Sequence, residues 1–137
     1  MRRAIALATL IALAAAGTAS AEHWTKYVNG EKGTEWSYDA DYLYKDQASG
    51  RLVVLQAISK PSASFGPGAP GKPDGVGSLV SIDCRRKSMT LISSYTPSKP
   101  LAIGDRWRSE PAKRADGPEN EALVATVCPL ADQAPVK

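Results

Sequence analysis

The 137 residues carry 17 Lys and Arg against 14 Asp and Glu, and Arg2 and Arg3 account for two of those cations. Beyond them 15 basic side chains face 14 acidic ones, a balance without the strong basic excess of a nucleic-acid-binding domain. A chain of this length supports one domain with a modest core.

Residues 4–16 hold no charge, and Ala19-Ser20-Ala21 follows as a small-x-small triplet. A positive start, an apolar run and that triplet describe a secretory signal peptide over residues 1–21. The apolar run falls short of the roughly 20 residues a spanning helix requires, so no membrane span is expected after cleavage. The first cysteine is Cys84, which leaves no lipid-attachment cysteine at the cleavage point. Residues 22–137 are expected to form a single exported domain, in the periplasm or at the cell surface. Cys84 and Cys128 are the only cysteines. In an oxidising compartment they are expected to form one disulfide, and their wide spacing argues against a redox-active pair.

In chain order, residues 24–29 read as a strand ending at Asn29-Gly30, a dipeptide suited to a hairpin turn. Residues 34–44 read as a half-buried strand, with Trp36, Tyr38 and Ala40 facing inward and Glu35, Ser37 and Asp39 outward. Residues 51–58 are nearly continuously apolar, as in a central strand covered on both faces. Residues 60–77 hold four prolines and five glycines, and form no packed element. They contain neither Gly-rich phosphate-binding pattern.

Residues 79–85 resume strand character, with Val80, Ile82 and Cys84 directed to the core. Arg85, Arg86, Lys87 and Ser88 make a charged turn into a further strand over 89–95. A short strand is expected over 103–108 carrying Trp107, followed by a polar, turn-rich run to Gly117. Pro118 suits a first helical turn, and Leu123/Val127 and Val124/Cys128 are i, i+4 pairs on one face of a helix ending at Pro129. Such a short helix must dock on the sheet to persist. The fold class is therefore α+β and mainly β: a single antiparallel sheet of about five to six strands, with one C-terminal helix packed on it and stapled by the disulfide.

Trp24, the Tyr38-Asp39 strand, the Ser-x-x-x-Ile-Asp-Cys run from Ser78 to Cys84, the basic turn, Tyr95, Trp107 and Val127-Cys128 occur in an order that resembles the surface-adhesin protein E family. The resemblance covers most of residues 24–128. It implies a single antiparallel sheet with a disulfide-joined C-terminal helix, and a non-enzymatic role in binding a protein partner such as an extracellular-matrix or envelope protein. The chain departs from the family pattern in its longer Pro/Gly segment over 62–77. It also carries Pro111 to Gly117 where a Pro-Gly-Ser turn is expected.

Little in the sequence speaks for catalysis. The single histidine, His23, falls at the start of the exported domain, where a flexible terminal residue is expected rather than a base. Neither cofactor nor metal is expected, since no calcium-loop spacing surrounds Asp39, Asp41 and Asp46. No G-x-S-x-G elbow is present. A carboxylate pair among Glu31, Glu35, Asp39 and Asp41 is recognised by separation in space, so the sequence leaves it open.

Three surfaces offer binding. The turn Arg85-Arg86-Lys87 presents three cations suited to an acidic patch, a sulfated glycan or a carboxylate-rich protein segment, or is simply a solvated turn. Trp36, Tyr38, Tyr42 and Tyr44 form a recognition patch or pack in the core. Residues 60–77 order on a partner or stay disordered. Exposed edge strands also permit homodimerisation by strand pairing. The expected function is a cell-envelope binding module; the alternative is a periplasmic accessory or stress protein with no external ligand.

Overall fold

The structure, a computed structural model, describes residues 23–59, 76–95, 101 and 103–137. The segment read as a signal peptide and most of the Pro/Gly segment lie outside the described residues. The segment's last two positions, Val76 and Gly77, belong to a strand rather than to a loop.

Seven strands form one antiparallel sheet: β1 (Trp24–Asn29), β2 (Glu35–Asp39), β3 (Tyr44–Lys45), β4 (Leu52–Ser59), β5 (Val76–Asp83), β6 (Ser88–Tyr95) and β7 (Lys113–Arg114). The order across the sheet is β1-β2-β4-β5-β6-β7, with β3 also on β4. Among the described residues the one α-helix, α1 (Pro118–Val127), begins at Pro118 as expected and continues as a 3-10 turn over Cys128–Leu130. Among the described residues no helix is long and apolar enough to cross a membrane.

The run read as one strand over 34–44 is two short ones, because Asp39 ends the first. Its carboxylate accepts the Asp41 N–H at 2.9 Å while its carbonyl accepts the Tyr42 N–H at 3.2 Å, which turns the chain away. β2 and β3 then lie along the same side of β4, pairing with residues 56–59 and 52–53. Ser37 and Asp39, expected to face solvent, are buried because β2 is covered on both faces.

The first connection also differs from expectation. Gly30 is extended, and the positive φ angles fall on Lys32 and Gly33 inside a 3-10 turn over Glu31–Gly33. β4 is central and buried almost throughout, as its composition predicts. Trp107 sits on a 3-10 turn, Arg106–Arg108, rather than a strand, since the Arg108 N–H bonds back to the Asp105 carbonyl. The polar run after it contains β7, two exposed residues with no apolar pattern to announce a strand.

Side chains alternate along the central strands and build two apolar layers. On one face Leu52, Val54, Val80 and Ile82 meet Leu123, Val124 and Val127 of α1, so the helix docks as its i, i+4 pattern requires. On the other, Val53, Leu55 and Leu79 pack under Trp107, surrounded by Trp24, Tyr42, Tyr44, Ile92 and Tyr95. Trp24 of β1 and Tyr95 of β6 stand four strands apart in the sheet, a separation of roughly 19 Å if it were flat. Their ring centroids are nevertheless 6.2 Å apart. The sheet must therefore curl around this second face, aided by register shifts between Lys26 and Val28 and between Leu79 and Val80.

Small residues make room for the curl. Ser37, Ala57 and Gly77 are in register across β2, β4 and β5, and Tyr95 is the next partner in the row. A β-carbon on Gly77 would lie 2.5 Å from Tyr95 Cδ1, so the ring rests directly on the glycine. Gly77→Ala should cost about 1–3 kcal/mol by overpacking, measured as a lower denaturant midpoint. A midpoint equal to that of the parent chain would mean that Tyr95 moves aside freely.

Cys84 leaves the end of β5 and bonds to Cys128, with Cα atoms 5.8 Å apart and a sequence separation of 44. Replacing both with serine should lower stability by about 4 kcal/mol in the chain-entropy account. Thiol labelling of denatured, unreduced protein should find no free sulfhydryl; two labelled thiols would show that the bond is not formed.

Candidate functional site: a basic groove at the disulfide end of the sheet

The basic turn is built by its neighbours. Asp83 closes β5 and accepts the backbone N–H groups of Arg85 and Arg86 at 3.1 and 3.2 Å, fixing the turn with the acidic group spent on amides. Lys87 takes a left-handed φ of 50°, and its carbonyl accepts the Ala115 N–H at 2.8 Å, joining the turn to the residue after β7. Cys84 holds the turn's other end to the helix. Arg85, Arg86 and Lys87 are all exposed on this anchored turn.

Arg85 and Arg86 line a groove of about 460 Å³ together with Lys45, Ser49, Cys84 and Ala131. Lys45 shares its register position with Leu52, a helix-side residue. Arg51 lines the groove too, yet its guanidinium carbon is 5.9 Å from the Trp107 ring on the curled face, and its Nη1 is buried with no hydrogen-bond partner among the described residues. The groove therefore carries Lys45, Arg85 and Arg86 against Asp83. None of these three cations forms an ion pair among the described residues.

The Lys45–Ser49 part of the lining is held by a buried carboxylate, Asp46, which the sequence offers only as a candidate calcium ligand. Asp46, 3% exposed, accepts Arg108 Nε at 2.9 Å and Arg108 Nη2 at 2.7 Å, and also accepts the Ser49 N–H at 3.0 Å and the Ser49 hydroxyl at 2.5 Å. Its backbone N–H donates to the Arg51 carbonyl, closing the β3–β4 turn. Arg108 also donates to Asp105 and stacks 4.9 Å from the Trp107 ring centroid. The Arg108 hydrogen bonds, opposed in part by burial, hold the Asp46 carboxyl down at about 2. The same pairing raises the Arg108 pKa.

The other residues singled out by sequence do not converge. Tyr38 packs on the helix side, whereas Tyr42 and Tyr44 form an edge-on pair on the curled face, so the four aromatics make no single patch. His23 is held rather than flexible: its N–H donates to Asp39, its carbonyl accepts the Ala40 N–H and its Nδ1 pairs with Asp41. Glu35 pairs with Lys26 at 3.6 Å. Among the described residues no group of three or more His, Cys, Asp or Glu is placed to hold a metal ion. No family model matches the chain, and no curated protein or solved structure matches it.

Asp46 also dictates a pH response. Its folded pKa of about 2 lies below the roughly 3.9 of an unfolded aspartate, so the pair's stabilisation is fully present above pH 4 and is lost as pH falls toward 2. The denaturation midpoint should drop over that window. Asp46→Asn should lower the midpoint at pH 7 and flatten the acid drop; an acid response as steep as the parent's would assign it to other carboxyls.

Proposed function

We propose that the chain is an exported, non-enzymatic binding module of the cell envelope, similar to the surface-adhesin protein E family, and that it engages an acidic surface on a protein partner through the groove. The N-terminal segment supports export, and a disulfide suits an oxidising compartment. The observation that carries the reading is the groove itself: Lys45, Arg85 and Arg86 border one recess and lack ion pairs among the described residues, the two arginines on a turn that adjoins the disulfide and Lys45 at the end of β3 beside the buried Asp46 carboxylate. Cations presented on a preorganised frame lose little conformational freedom on binding. They also speed encounter with an oppositely charged partner.

The test is titration of the protein with an acidic peptide at low and moderate salt. Arg85→Glu combined with Arg86→Glu should weaken binding by about tenfold or more at low salt, with the difference shrinking as salt rises. Both positions are exposed, so circular dichroism and the melting temperature should stay unchanged. Unaltered affinity in the double variant would reject the groove as the binding surface.

A further inference from the structure

The turn after β5 divides two recesses. Arg85 and Arg86 belong to the groove, whereas the next residue, Lys87, lines a separate recess of about 330 Å³ together with Arg114, Ala115, Glu121, Val124 and Ala125. The disulfide lies at the divide, because Cys84 lines the groove and Cys128 directly follows α1, which supplies one wall of the second recess. The two hollows differ in chemistry. The groove is bordered by cations, while the second recess has an apolar lining of Ala115, Val124 and Ala125 with Lys87, Arg114 and Glu121 around it. Arg114 is offset only by an exposed contact to Asp116 at 3.5 Å, and Lys87 has no ion pair among the described residues. Exposed pairs of that kind contribute little.

Resting on the groove reading above, we propose that the partner is a protein segment combining carboxylates with a neighbouring aliphatic side chain, bound across the turn. Its carboxylates lie against Arg85 and Arg86, and its aliphatic group enters the recess beside Val124. The apolar lining decides between the anionic partners that three cations alone would accept. A sulfated glycan presents no aliphatic group to fill such a recess, whereas an acidic peptide with one leucine satisfies both hollows. Apolar burial supplies affinity and the cations supply orientation.

The experiment compares two fluorescent peptides, a glutamate run interrupted by one central serine and the same run with leucine in place of the serine, with a heparin oligosaccharide as a third probe. The leucine peptide should bind about tenfold tighter than the serine peptide. Ala125→Gln, an exposed and helix-compatible change that fills the recess, should erase that preference and leave the serine peptide's affinity unchanged. Equal affinities on the parent chain, a preference that survives Ala125→Gln, or heparin binding tighter than both peptides would each overturn the proposal. If Arg85→Glu with Arg86→Glu weakens both peptides while leucine confers no gain, the recess is excluded and the groove stands. If that double variant weakens neither, the groove itself is excluded.

Discussion

The Cys84–Cys128 bond makes a sheet, a turn and a helix into one body. A ten-residue helix is marginal in water, and α1 persists here because Leu123, Val124 and Val127 are buried against β4 and β5 while its end is tied covalently to the turn leaving β5. From that tie the chain runs on to Pro135 and Lys137, which exchange backbone hydrogen bonds with Lys45 of β3. Lys45 precedes Asp46, whose carboxylate fixes the turn into β4. Lys45 and the basic turn, both part of the groove lining, are thus linked through disulfide, helix, C-terminal segment and β3.

The opposite face of the sheet follows a different constraint. Among the described residues no helix covers it, and it closes instead by curling until residues from β1 and β6 meet, with Trp107 laid over Val53, Leu55 and Leu79. That placement brings Arg108, the next residue, to Asp46. One bidentate pair thereby pins the segment carrying Trp107 to the β3–β4 turn. A planar guanidinium that stacks on an indole while gripping a carboxylate with two donors is an arrangement lysine cannot reproduce.

Much of this was legible in the residues, and the failures share a cause. The central strand, the basic turn, the helix from Pro118 and the disulfide rest on local signals: a continuous apolar run, a charge cluster, an i, i+4 pattern and a pair of cysteines. The division of 34–44 into two strands depended on one side chain, Asp39, capping a turn in mid-pattern. The outward assignment of Ser37 failed because the curled sheet buries both faces of β2, which strand period alone does not reveal. β7 is two exposed residues paired to Ser88 and Met89, with no hydrophobic pattern to detect. At the site, the three cations stood out as a run, but Lys45 joins Arg85 and Arg86 only through the fold. The Asp46–Arg108 contact spans 62 residues of sequence and leaves no local trace.

With 15 bases and 14 acids, residues 22–137 hold nearly enough carboxylates to neutralise their own cations. Several of those carboxylates are committed elsewhere. Asp39 and Asp83 accept backbone amides, Asp41 pairs with His23, Glu35 with Lys26, and Asp46 is consumed by Arg108 and Ser49. Each fixes a strand end or a turn. Placing like charges on an exposed turn costs little when solvent and salt screen them, and the covalent anchor at Cys84 keeps that turn from rearranging to relieve the repulsion. Using acids inside the frame and leaving cations at the groove produces local charge from a chain that is close to neutral. A composition-based argument misses that distribution, because net charge sums over the groups the fold has already spent.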